Sequence, residues 1–163
     1  MRSLKFSSVI MTMLSGLLVS LFAFQFAARA SDLVLPDPSI TASEVVAIQM
    51  KALQFNDNPV PDFGIAQTWA FAHPRNRMMT GPLQRFAGMM KGRAYGVMLN
   101  HASHRIESVS TAENLANFDV FMETPQGRIL YFAWTVERVE GGEFDGSWMT
   151  VAVSTPRDAG QGS

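Results

Sequence analysis

The sequence predicts an α+β domain in which N-terminal helices pack on a curved antiparallel sheet of about four strands. Two observations lead there. Apolar residues recur at helical spacing from Val45 to Met90. From His101 onward the period falls to two: Ala116, Phe118, Val120 and Met122 alternate with Asn117, Asp119, Phe121 and Glu123. Length is the third constraint, since 163 residues suffice for one core and the chain holds no internal repeat. Helices that come first and strands that follow bury their apolar faces against each other as separate layers.

Residues 1–30 have the form of an export signal. Arg2 and Lys5 supply the positive start, Val9 to Ala28 is apolar, and Ala28-Arg29-Ala30 is a small-x-small cleavage site. Cleavage is expected before Ser31, giving a periplasmic or secreted protein. The alternative is a retained N-terminal membrane anchor, because the apolar run approaches the roughly 20 residues that span a bilayer. A membrane is expected as a partner only in that case.

Residues 31–40, with Pro36 and Pro38, read as an extended, mobile lead-in. The domain proper is expected over residues 41–154. Thr41-Ala42-Ser43-Glu44 has the capping-box pattern and starts a first helix that runs to about Phe55. Asn56 to Asp62 is a turn-forming loop. Gly64 to Ala72 forms a second helix, which Pro74 ends by disfavouring helical geometry at His73. Arg75 to Thr80 reads as a connection. Gly81-Pro82 opens a third helix carrying Leu83, Phe86, Met89 and Met90, with Gly92 as its stop. A short turn around Tyr95 leads to the sheet.

The strands follow as His104–Val109, Ala116–Glu123, Arg128–Val139 and Trp148–Val153. Thr124-Pro125-Gln126-Gly127 is a hairpin turn, and Glu140 to Gly146 is an acidic Gly-rich turn. Residues 155–163 are polar and Gly-rich and read as a disordered tail.

The chain has no cysteine, which excludes disulfides, thiolate metal sites, lipoprotein acylation and a Cys nucleophile. Removing Arg2, Lys5 and Arg29 with the signal leaves ten basic residues against fourteen acidic, a net charge of −4. Such a balance argues against a nucleic-acid partner. No phosphate loop, nucleophile elbow, HExxH or paired-carboxylate motif is present, and neither a cofactor nor a metal is expected.

One stretch, Trp69 to Phe86, mixes aromatics, two X-Pro steps, arginines, Asn76, Thr80 and Gly81 in a way no ordinary amphipathic helix requires. The pattern G-I-x-x-x-W-A-F-A-x-P-x-N-R-x-x-T-G-P-L-x-R-F from Gly64, with Tyr95, Leu99-Asn100-His101 and Gly146-Ser147-Trp148-Met149, resembles an uncharacterised bacterial and plastid group. This is domain-of-unknown-function family 4864 (DUF4864), and the likeness covers about Ser43 to Val153. It implies a cone like that of the nuclear-transport-factor-2-like superfamily. It implies no activity, since that superfamily hosts isomerases, dehydratases and binding modules alike.

Candidate chemistry gathers in four sets of residues. Arg75, Asn76, Arg77 and Thr80, with Trp69 and Tyr95, are candidate ligand-binding residues. Arginine forks and the N–H groups near the third helix's start favour an anion, while capping and satisfaction of loop carbonyls are the architectural use. His101 and His104 share a face on a helix but oppose each other on a strand. Asp119 or His101 as base, with Tyr95 as donor, is a candidate catalytic set. The aromatics are expected either in the core or around a cavity at the open end of the cone.

The leading reading is an exported, non-enzymatic domain that binds a small ligand or a protein. The alternative is a small cofactor-free enzyme of isomerase or dehydratase type. A homodimer through the outer sheet face, using Ile129, Tyr131, Ala133 and Val139, is a third expectation.

Overall fold

A computed structural model describes residues 33–161. The expected signal or anchor over residues 1–30 lies outside the described residues. Among the described residues no helix is long and apolar enough to cross a membrane.

Four helices precede the sheet. They are α1 (Ala42–Gln54), α2 (Phe63–Ala70), α3 (Pro74–Thr80) and α4 (Leu83–Met90), followed by a single 3₁₀ turn at Gly96–Met98. The strands are β1 (Ser103–Thr111), β2 (Leu115–Glu123), β3 (Arg128–Arg138), β4 (Trp148–Val153) and β5 (Arg157–Gln161). They form one open antiparallel sheet in the order β1-β2-β3-β4, with β5 also paired to β3. The architecture is therefore α+β, with helices first, as the periodicity predicts.

The capping box at α1 is closed. Glu44 N–H donates to Thr41 Oγ1 at 3.3 Å, and Thr41 N–H donates to Glu44 Oε2 at 2.8 Å. Val45, Val46, Met50 and Leu53 from α1 pack on Ala116, Phe118, Val120 and Met122 of β2 and on Leu130, Phe132, Trp134 and Val136 of β3. These are the inward positions of the period-2 pattern, and burying such large side chains supplies most of the driving force for folding.

Three expectations change. Arg75 to Thr80 is not a connection but belongs to α3. Pro74 stands at the helix's first position, where its missing N–H costs nothing, and His73 caps it through Nδ1, which accepts from Arg75 N–H at 3.1 Å. The lead-in is held from Leu33 onward: the Gln67 side-chain amide accepts from Val34 N–H at 2.9 Å and donates to Val34 O at 2.7 Å. The tail is paired over Arg157–Gln161. β4 covers β3 only from Trp134 to Arg138, so the exposed edge at Arg128–Tyr131 accepts β5.

The outer sheet face keeps Ile129, Tyr131 and Ala133 at least partly exposed, but Val139 is buried. β3 ends at Arg138, and Val139 turns inward as its N–H donates to Ser147 O at 2.9 Å.

Candidate functional site

The residues between α2 and α3 do not simply link two helices. Phe71 to His73 lies along the free edge of β4 as a one-residue parallel bridge, Ala72 with Thr150. Thr150 N–H donates to Phe71 O at 2.8 Å, and His73 N–H donates to Thr150 O at 2.9 Å. Asn76 Nδ2 donates to the same Thr150 oxygen at 3.2 Å. Thr80 Oγ1–H returns to Asn76 O at 2.8 Å. One short stretch thus seals a sheet edge and aims α3 across it.

The face of α3 turned toward β4 borders a cavity of about 490 Å³. α1 contributes Gln49, α2 Thr68, and β3 and β4 contribute Trp134 and Thr150–Val153. Much of its wall is soft: Phe86, Met79, Met89, Met90 and Met98. Its polar side holds Arg75, Asn76, Thr80 and Tyr95. Among the described residues that line it there is no carboxylate and no imidazole.

A string of buried polar groups crosses the cavity floor. Trp134 Nε1–H donates to Thr150 Oγ1 at 3.1 Å, Thr150 Oγ1–H donates to Gln49 Oε1 at 2.6 Å, and Gln49 Nε2–H donates to Thr68 O at 3.1 Å. Gln49 is fully buried, and Thr150 and Trp134 nearly so. Each bond offsets the desolvation of its partners, so the string holds together or costs several groups at once.

The candidate residues divide cleanly. Arg75, Asn76, Thr80 and Tyr95 line the cavity. Arg75 pairs with Glu137 on β3, which neutralises this stretch of the rim. Tyr95 O–H donates to Val153 O at 3.2 Å, leaving its oxygen lone pairs to accept. Arg77 and Trp69 do not line it. Arg77 Nη2 donates to Trp69 O at 3.1 Å and Ala70 O at 2.8 Å, the last carbonyls of α2, and the guanidinium lies against the rings of Trp69 and Phe144. Burial pulls the Arg77 pKa down, and the Glu143 charge opposes that. Arg77 is a C-terminal cap for α2.

The proposed catalytic set is not assembled. Asp119 points to the outer face of β2, where it accepts from Tyr131 O–H at 3.0 Å. Tyr95 faces the cavity on the other side of the sheet. His101 is buried in the loop before β1, outside the cavity lining. Its Nδ1 lies 2.8 Å from Met98 O, and its Nε2 lies 2.8 Å from His104 Nδ1. A carbonyl only accepts, so Nδ1 carries the proton and Nε2 receives one from His104. Burial pushes His101 down to about 4, the Met98 bond resists this, and the His104 charge adds to it. The two imidazoles can meet because His101 precedes β1, which begins at Ser103, so the strand rule of opposite faces does not reach it.

Gln49, Thr68 and Thr150 are the lining residues that pattern reading passed over. Their signal is in the sequence: Gln49 interrupts the apolar stripe between Val45 and Leu53, and Thr150 sits inside the apolar run Trp148 to Val153. A polar residue on a core face is there because something inside bonds it. Neither protein-family models, curated proteins nor solved structures give a match to this chain.

Proposed function

We propose that this protein binds a small, largely apolar molecule with a hydrogen-bonding head group in the cavity between α1, α3, α4 and β4. The observation that carries this reading is the lining: four methionines and two aromatics against a short polar side at Asn76, Thr80 and Tyr95. A volume of about 490 Å³ falls in the range of small-molecule sites. Thioether side chains adapt to irregular apolar shapes without fixing one. With Arg75 paired to Glu137, the head group favoured is neutral or weakly charged. The resemblance to family 4864 implies a cone that serves binding modules and enzymes alike, so the choice between them rests on the lining.

Two features support binding over proton-transfer catalysis. The described lining offers no carboxylate or imidazole to serve as base, and Asp119, His101 and Tyr95 stand in three separate surroundings. The test is titration with medium-chain alcohols, octanol to dodecanol, followed by the fluorescence of the protein's tryptophans, with Trp134 lining the cavity. Saturable binding is expected in the wild type. Met79→Trp, which fills the mouth from an exposed position, is expected to remove it with the fold unchanged by circular dichroism. Absence of binding across the series, or equal binding by the blocked variant, rejects the reading.

A further inference from the structure

The corner between α3 and α4 has a composition that cavity binding does not require. From Phe63 to Ile106 the chain contains no Asp or Glu, while it carries Arg75, Arg77, Arg85, Lys91, Arg93 and Arg105. That run includes α2, α3 and α4 and ends inside β1. Arg75 and Lys91 reach out of the run to Glu137 and Asp62. Among the described residues Arg85 and Arg93 are exposed and make no ion pair.

The same corner exposes apolar side chains. Met78 and Met79 are 76% and 74% exposed, the two most exposed large apolar residues among those described. Leu83, just beyond Gly81-Pro82, is 40% exposed. Neighbouring exposed apolar side chains that join into a patch mark an interaction site more often than isolated ones do. Met79 also lines the cavity, so the apolar corner and the cavity mouth are continuous.

We propose that the α3–α4 corner docks on an anionic phospholipid bilayer, with Met78, Met79 and Leu83 entering the headgroup layer and Arg85 and Arg93 facing lipid phosphates. Charge complementarity selects this occupant. Glu137 and Asp62 offset Arg75 and Lys91, while Arg85 and Arg93 make no ion pair among the described residues, and each is attracted to anionic lipid at about 1 kcal/mol near the surface. Unbranched thioethers, which have no fixed shape, suit the disordered acyl boundary better than a packed protein interface. Docking there turns the cavity mouth toward an apolar phase. The argument is one of surface composition and stands whether or not the cavity takes a ligand.

The chain also carries the apolar stretch Val9 to Ala28, so the readout must be local to the corner. The absence of cysteine permits one label at a chosen site. In the full chain, an environment-sensitive dye on Gln84→Cys reports the corner, and the same dye on Ser110→Cys reports exposed β1. Vesicles of phosphatidylcholine with phosphatidylglycerol are expected to blue-shift the Gln84 label and leave the Ser110 label unchanged. The Arg85→Glu/Arg93→Glu pair is expected to weaken that response about tenfold or more. Met78→Gln/Met79→Gln is expected to weaken it at unchanged charge. Equal responses from both label sites, no response at Gln84, or a response to polyglutamate in place of vesicles overturns the proposal, the last in favour of an acidic protein partner.

Discussion

Asn76 Nδ2 donates to the backbone oxygen of Thr150 at 3.2 Å, joining α3 to the last inner strand across 74 residues of sequence. The same oxygen accepts from His73 N–H at 2.9 Å. Asn76→Ala therefore removes this bond and the 3.0 Å contact of Thr80 Oγ1–H with Asn76 Oδ1, yet orphans neither partner, because the carbonyl keeps His73 N–H and the Thr80 hydroxyl keeps Asn76 O at 2.8 Å. The expected cost is about 1 kcal/mol, the net worth of a single such bond. Chemical denaturation of the purified variant measures it. A loss above about 3 kcal/mol would mean that Asn76 holds α3 in place outright, not as one of several ties.

Thr150→Val is expected to cost more than Asn76→Ala, although it keeps shape and volume. The hydroxyl accepts from Trp134 Nε1 and donates to Gln49 Oε1, and both partners are buried. Its removal leaves two buried polar atoms unpaired, on the order of 2–4 kcal/mol together. Adding Gln49→Met to Thr150→Val should cost less than Gln49→Met alone costs the wild type, because it also deletes the Oε1 already orphaned, although it releases Thr68 O in either background. Melting temperatures of the single and double variants decide the matter. A double variant as unstable as the sum of the two singles contradicts the coupled string.

Gly81→Ala tests the close approach of Trp69. A Cβ on Gly81 would stand 2.6 Å from Trp69 Cη2 and 2.6 Å from Arg77 O. The backbone at Gly81 is an ordinary extended one, so the obstacle is space alone. Trp69 packs at a tilt against Phe86 with ring centroids 5.1 Å apart, and displacing it disturbs α4. Overpacking of this kind costs about 1–3 kcal/mol. Denaturant midpoints of wild type and variant measure it, and unchanged stability would show that both Trp69 and the Arg77 carbonyl give way freely.

The layers were legible because burial follows period. β2 and β3 show their inward residues by alternation alone, and the capping box announces α1. What sequence pattern did not reach is geometry made by distant partners. α3 looked like a connection because Arg75-Asn76-Arg77 has no apolar stripe, and none of its residues is buried. Its stability comes from Pro74, His73 and the bond to Thr150, which lies far along the chain. β5 was invisible for a similar reason: Arg157 to Gln161 has no strand pattern, and it pairs because β4 is too short to cover β3. For the site, the stretch Trp69 to Phe86 marked the right region but not its division. Asn76 and Arg77 are neighbours in sequence, yet one faces the cavity and the other caps α2, since adjacent helical positions differ by about 100°.

Stability is expected to fall with pH between about 6.5 and about 4 through His101. Its ring donates Nδ1–H to Met98 O and accepts from His104 at Nε2, an arrangement that needs the neutral form. A second proton on Nε2 would force His104 to shift its own proton from Nδ1 to Nε2 so that Nδ1 could accept. His104 lies on β1 and is itself held low by burial and by the Lys51 charge from α1, so it too favours the neutral form as pH falls. The folded state thus keeps His101 neutral down to about 4, while the unfolded chain takes its proton near 6.5. Above 6.5 both states are neutral and the contribution is fully present. As pH falls the unfolded state binds protons first and gains free energy, up to about 3 kcal/mol near pH 4. His73, also lowered by burial, moves stability in the same direction. His101→Gln retains an amide donor for Met98 O but cannot titrate. Urea midpoints at about pH 7 and about pH 4.5 should show a steeper loss for the wild type than for this variant. Parallel losses would place the acid sensitivity elsewhere, in carboxylates such as Asp37, Glu44 and Asp57 that hydrogen bonds hold below their usual values.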